Sequence, residues 1–204
     1  MKIDYRLYLV TDEKMQLDKL LWTVEEAVKG GVTIVQLREK SNNGKVFYDK
    51  AVALKELLKT YRIPLIINDR VDIALAVGAD GVHIGQSDIP LRAVKKIVPP
   101  TMIVGVSARS LQEAQEAESE GATYVGVGSV FPTNTKADAK PLPEGMLEKI
   151  AGSIRIPTVA IGGINLENIT SLQNKPIAGV AVVSSIINAN DPCKAATLFR
   201  KIEP

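Results

Sequence analysis

The sequence predicts an α/β fold, a single-domain (β/α)8 TIM barrel, and three observations carry that expectation. Short apolar runs alternate with longer amphipathic stretches along the whole 204-residue chain. The apolar runs number eight, and each is followed by a helical pattern or a stretch able to form a short helix. Internal echoes recur at the turns into strands. Gly78-Ala79-Asp80-Gly81-Val82 matches Gly121-Ala122-Thr123-Tyr124-Val125, with Ile177-Ala178-Gly179-Val180 as a weaker third copy. Repeated strand–helix units of this size and number fit a closed parallel barrel. An open doubly wound sheet is the competing arrangement, but the first strand is not followed by Gly-x-Gly-x-x-Gly.

Strands are expected at residues 7–10, 33–37, 64–67, 81–84, 103–106, 124–127, 158–161 and 179–183. The helix after the fifth strand is the clearest: Ser110 is a good N-cap, Glu113 completes a capping box, and Gly121 is placed to end it. Gln115, Glu116 and Glu118 read as its solvated face.

Composition bounds the function. With 46% hydrophobic residues and no linker, charge block or low-complexity segment, residues 1–204 suit one core. A net charge of +2 does not point to nucleic acid or a membrane surface. No stretch reaches the length of a membrane span. Met1-Lys2-Ile3-Asp4-Tyr5-Arg6 interleaves charges with apolar residues and lacks a signal peptide's apolar core, so the cytoplasm is the expected compartment. The lone Cys193, beside Pro192 at the expected start of the last helix, cannot form an internal disulfide and reads as structural or neutral.

In such a barrel the active site forms at the C-terminal ends of the strands, and polar residues gather there in turn. The second strand ends in Gln36-Leu37-Arg38-Glu39-Lys40. Strand alternation puts Val35 and Leu37 on one face and Gln36, Arg38 and Lys40 on the other. Cations on a buried face are costly unless paired, so an anion should meet them. A phosphate or diphosphate suits the Arg fork and the mobile Lys charge. The competing reading is a surface ion pair with Glu39.

The third strand ends in Asn68-Asp69-Arg70 and the fourth in Gly85-Gln86-Ser87-Asp88. Each group could simply cap the helix that follows. The pair is more telling, because Asp69 and Asp88 end neighbouring strands. Two converging carboxylates repel unless a cation lies between them, and oxygen ligands beside phosphate suit Mg²⁺. His83, the one histidine, lies mid-strand and reads as packed and hydrogen-bonded rather than catalytic.

The fifth strand ends in Gly105-Val106-Ser107. The sixth leads into residues 129–143, which carry no helical or strand pattern, and a loop of that length is usually functional or disordered. Thr133, Thr135 and Lys136 give it hydroxyls and a cation, although a plain polar turn would look similar. Strands seven and eight end in Ile161-Gly162-Gly163-Ile164 and Val182-Val183-Ser184-Ser185. Glycine lets a ligand approach the backbone, and these two loops form the usual phosphate site of such barrels.

With these residues assembled, the chain resembles the thiamine-phosphate synthase (thiamine-phosphate pyrophosphorylase) family nearly end to end. The resemblance is carried by QLREK from Gln36, NDRVD from Asn68, GVHIGQSD from Gly81, GVS from Gly105, GVGSVFPTNTK from Gly126, AIGGI from Ala160 and VAVVS from Val180. Ala108-Arg109 and Ser129 are minor departures. The resemblance implies a transferase joining an aminopyrimidine methyl diphosphate to a thiazole phosphate, giving thiamine phosphate and diphosphate. It implies that Gln36, Arg38, Lys40, Asn68, Ser107 and Lys136 bind the pyrimidine diphosphate, with Arg38, Lys40, Lys136 and Ser107 counted as catalytic. It implies Asp69 and Asp88 as Mg²⁺ ligands. Thr133, Thr135, Gly163, Val183 and Ser184 would then hold the thiazole phosphate. It further suggests a homodimer and a dissociative displacement without a protein nucleophile. Two rival readings are a thiazole tautomerase-like barrel, needing only the thiazole site, and a non-catalytic sensor of a phosphorylated metabolite.

Overall fold

A computed structural model describes residues 3–13, 15–40, 43–133 and 140–202. Among them eight parallel strands close a barrel in sequence order: β1 (Leu7–Val10), β2 (Ile34–Leu37), β3 (Leu65–Asn68), β4 (Gly81–Ile84), β5 (Ile103–Ala108), β6 (Tyr124–Val127), β7 (Thr158–Ile161) and β8 (Gly179–Val182). Pairing of Leu7 with Val180 and Leu9 with Val182 shuts the ring. Helices α1 (Leu17–Lys29), α2 (Gly44–Tyr61), α3 (Val71–Ala76), α4 (Leu91–Ile97), α5 (Leu111–Ser119) and α6 (Met146–Ala151) follow the first six strands. A 3₁₀ turn at Ile169–Leu172 follows β7, and α7 (Ser184–Ile187) and α8 (Pro192–Ile202) follow β8. No helix among the described residues is long and apolar enough to cross a membrane.

Four strands differ from expectation in their limits, β3 at both ends. Thr33 is spent anchoring the entry to β2, giving both its N–H and its hydroxyl to the Leu7 carbonyl at 2.9 and 3.0 Å. β3 ends one residue later because Asn68 pairs with His83. β5 extends to Ala108 because Ser107 and Ala108 pair with Gly126 and Val127. β8 stops at Val182, since Val183 leaves extended geometry to start α7.

Alternation along the strands divides the interior in two. Val35, Leu37, Leu65, Ile67 and their equivalents face outward and pack beneath the helices. Tyr5, Tyr8, Ile34, Ile66, Tyr124 and Val159 fill the barrel itself. Gly105 makes room for the largest of these: a Cβ there would stand 2.2 Å from the Tyr124 ring.

The Ser110 hydroxyl accepts the Glu113 N–H at 3.2 Å, as a cap should. Glu113 reaches one residue further back than a capping box requires and takes the Arg109 N–H at 2.5 Å. Glu118 is not merely solvated: it accepts the backbone N–H groups of Arg155 and Ile156 at 2.6 and 3.2 Å, tying α5 to the approach to β7. Cys193 lies one residue into α8, and its carbonyl accepts the Thr197 hydroxyl at 2.9 Å.

Candidate active site

The C-terminal ends of the strands surround a cavity of about 490 Å³. From the β2–β5 side come Gln36, Arg38, Lys40, Asn68, Asp69, Asp88 and Ser107. From the far side come Thr133, Gly163, Val183 and Ser184. The described candidates therefore meet in one space. Thr135 and Lys136 lie outside the described residues.

The cations meet anions, but protein ones. Arg38 Nη1 lies 3.3 Å from the Glu13 carboxylate, offered by the β1–α1 loop. Lys40 is paired with Asp69. Neither pairs with Glu39, because the extended chain turns that side chain to the opposite face. There its carboxylate receives Lys50 Nζ of α2 at 2.6 Å, with both side chains buried.

The capping alternatives fail. No side chain caps α3, whose preceding residue is Arg70, and none caps α4, which Pro90 precedes. Asp69 has a left-handed backbone, φ +61°, and donates its N–H to the His83 carbonyl at 2.8 Å. Such a conformation at a non-glycine residue costs of order 1–3 kcal/mol and gathers at functional sites. Asp88 accepts the Gly85 N–H at 2.7 Å, closing its own loop. The Asp69 and Asp88 carboxyls line the same cavity, near enough for Asp69 to act on Asp88. Burial first, and then Asp69, pushes the Asp88 carboxyl above the usual carboxylate range; the Gly85 N–H and Lys40 pull it back. That crowding of oxygens is the donor chemistry of a hard divalent cation. Among the described residues no third His, Cys, Asp or Glu joins them. A metal here would complete its shell with substrate oxygens and water, as Mg²⁺ beside phosphates commonly does.

Deeper in the cavity, a hydrogen-bonded chain escaped the sequence reading. Gln36 Nε2 donates to Tyr8 Oη at 2.8 Å, and Tyr8 Oη lies 2.8 Å from Tyr124 Oη. Tyr124 Oη lies 2.9 Å from His83 Nδ1, and His83 Nε2 lies 2.9 Å from Ser107 Oγ. Either hydroxyl can donate between Tyr8 and Tyr124, and the roles at His83 follow its tautomer. With the ring proton on Nε2, Tyr124 would donate to Nδ1 and His83 to Ser107 Oγ. Burial pushes both phenols far above their ordinary range, so they stay neutral donors. His83 is thus packed and hydrogen-bonded, as expected, yet it also lines the cavity. The missed signal was Tyr8 and Tyr124, whose alternation with Val10 and Gly126 puts them on the inward face.

Across the barrel, Gly162 and Gly163 have φ of +103° and +67°. A Cβ on Gly163 would stand 2.3 Å from the Pro132 carbonyl oxygen, so this turn seats the segment that carries Thr133. Ser185 Oγ donates to the Ile164 carbonyl at 3.1 Å, linking the last two loops. Two further contacts complete the rim. Gln86 donates to the Ser107 carbonyl at 2.6 Å, and Arg109 donates to the Lys140 carbonyl at 2.8 Å.

Comparison with known proteins agrees with the barrel fold. The family model described as thiamine monophosphate synthase matches residues 7–186. A thiamine-phosphate synthase of Clostridium acetobutylicum is 52% identical over 92% of this chain and 89% of its own length. One of Ruminiclostridium cellulolyticum is 53% identical over 93% of this chain and 91% of its own. The solved thiamine phosphate pyrophosphorylase of Pyrococcus furiosus superposes with a TM-score of 0.89 at 41% identity, covering 98% of this chain and 96% of that one.

Proposed function

Because the chain belongs to the thiamine monophosphate synthase family, it is a transferase that forms thiamine phosphate, and we propose that it does so in the cavity described above. The reaction joins 4-amino-2-methyl-5-(diphosphooxymethyl)pyrimidine to 4-methyl-5-(2-phosphooxyethyl)thiazole and releases diphosphate. One observation carries the assignment of roles. Arg38, Lys40, Asp69 and Asp88 cluster at the ends of β2–β4, while Gly163, Val183 and Ser184 stand at the ends of β7 and β8, across the ring. Two separate anion-binding regions facing one space suit two phosphorylated substrates.

The diphosphate lies with Arg38, Lys40, Asn68, Ser107 and Lys136, and Gln36 offers its amide oxygen to the pyrimidine. Asp69 and Asp88 would hold Mg²⁺, which when bound neutralises charge growing on the leaving diphosphate. The carbon–oxygen bond breaks with its electron pair leaving on diphosphate, and the aminopyrimidine stabilises the resulting cation. The thiazole nitrogen lone pair then forms the new carbon–nitrogen bond. Thr133, Thr135, Gly163, Val183 and Ser184 hold the thiazole's phosphate so that this nitrogen faces the reacting carbon. No protein nucleophile takes part. A millionfold acceleration needs about 8 kcal/mol, and a hydrogen bond to a charged group supplies about 1.5–3 kcal/mol. Several donors acting together are therefore required, and the cluster supplies them.

A tautomerase-like barrel or a metabolite sensor would need only the β7–β8 side, so the acidic pair and its cations argue against both. The resemblance also supports the cytoplasm as compartment and a homodimer as assembly, the latter testable by sedimentation. The deciding experiment measures diphosphate release with both substrates and Mg²⁺ present and each omitted in turn. Release that needs all three, with thiamine phosphate formed, is expected. Tight binding of the thiazole phosphate alone, with no release, would overturn the reading.

A further inference from the structure

We propose that Lys50, on the outer side of the barrel wall, is a positioning residue for the two diphosphate-binding cations Arg38 and Lys40. The inference rests on the reading that these cations receive the diphosphate. Glu39 stands between them in the chain and faces away from the cavity, where it is 7% exposed. Its carboxylate lies 2.6 Å from Lys50 Nζ, in the second turn of α2. The same ammonium donates to the Glu13 carbonyl at 3.4 Å, and the Glu13 carboxylate lies 3.3 Å from Arg38. Lys50 therefore ties together the loop that carries both cations and the loop that presents Arg38 with a carboxylate.

The arrangement has a physical logic. A buried ion pair is weak support for stability, because desolvation offsets most of the attraction. Its value lies in geometry: the pair fits only one placement of the Glu39 backbone. The neighbouring residues inherit that placement, so Arg38 and Lys40 leave the chain at fixed points on the opposite face. Without Lys50, the Glu39 carboxylate loses its buried cation, and Arg38 and Lys40 are the cations nearest in sequence. The cations would then be drawn away from the diphosphate.

The test compares Lys50→Met with Lys50→Arg. Dissociation constants for inorganic pyrophosphate and KM for each substrate are measured. Lys50→Met should weaken pyrophosphate and raise KM for the pyrimidine diphosphate by roughly tenfold or more, since small misplacements of a charged clamp are costly. KM for the thiazole phosphate should stay within about twofold, because its site stands across the ring. Lys50→Arg should recover most of the loss. Wild-type pyrophosphate binding, or equal changes in both KM values, would overturn the proposal. If Lys50→Met does not fold, Glu39→Gln/Lys50→Met removes the buried charge and must still weaken pyrophosphate. Arg38→Ala separates the two layers of inference. If it leaves pyrophosphate binding unchanged, the parent reading fails. If it weakens binding while the folded Lys50 variants do not, the positioning role alone fails.

Discussion

His83 Nε2 stands 2.9 Å from Ser107 Oγ, across the β4–β5 seam. The other ring nitrogen, Nδ1, lies 2.9 Å from Tyr124 Oη, so His83 links the serine to the buried tyrosine pair. A mid-strand histidine is thereby tied to the serine that closes the neighbouring strand.

Ser107→Ala should lower kcat/KM for the pyrimidine diphosphate about tenfold to hundredfold, the equivalent of one hydrogen bond to a charged group. KM for the thiazole phosphate should hold steady. Steady-state kinetics with each substrate varied in turn would show whether the loss follows the diphosphate.

Tyr124→Phe removes the hydroxyl shared by Tyr8 and His83. It removes one hydrogen bond from buried Tyr8 and one from His83, so stability should fall by about 1–3 kcal/mol. Urea unfolding checks this, and an unchanged midpoint would mean that water replaces the lost hydroxyl.

Asp69→Ala and Asp88→Ala should each abolish Mg²⁺-dependent activity while leaving the barrel folded, as circular dichroism would report. Chelation of the unmodified protein should have the same effect. Wild-type metal dependence in either variant would reduce that carboxylate to a loop-closing role, which for Asp88 means only its bond to Gly85.

Gly163→Ala adds a methyl group where the backbone is left-handed and the Pro132 oxygen is 2.3 Å away. The 129–133 segment must shift, so KM for the thiazole phosphate should rise several-fold while pyrophosphate still binds normally. A rise confined to the pyrimidine substrate would contradict the assignment of this loop.

The barrel was legible because its strands are short apolar runs bounded by turn residues, and the site because reactive side chains close each run. What stayed hidden has a common cause. Tyr8 and Tyr124 look like core aromatics in a one-dimensional string, and only closure of the ring brings their hydroxyls together. Glu13 is 25 residues from Arg38 in the chain, so no local pattern links them. Lys50 reads as an ordinary helix lysine until Glu39 is seen beneath it. Asp69 and Asp88 were readable as a pair because each closes its own strand; partners drawn from the middle of a helix or from the β1–α1 loop were not.

The tyrosine-filled interior has one more consequence. Tyr5 and Tyr124 sit with ring centroids 5.0 Å apart, and with Ile34 and Ile66 they close the barrel from below. On that side the cavity is floored by packed side chains. If reactants and products exchange at the rim formed by the strands' C-terminal ends, whichever occupies the floor would arrive first and depart last. In the proposed arrangement that place belongs to the pyrimidine, which makes the order of traffic a property of the architecture.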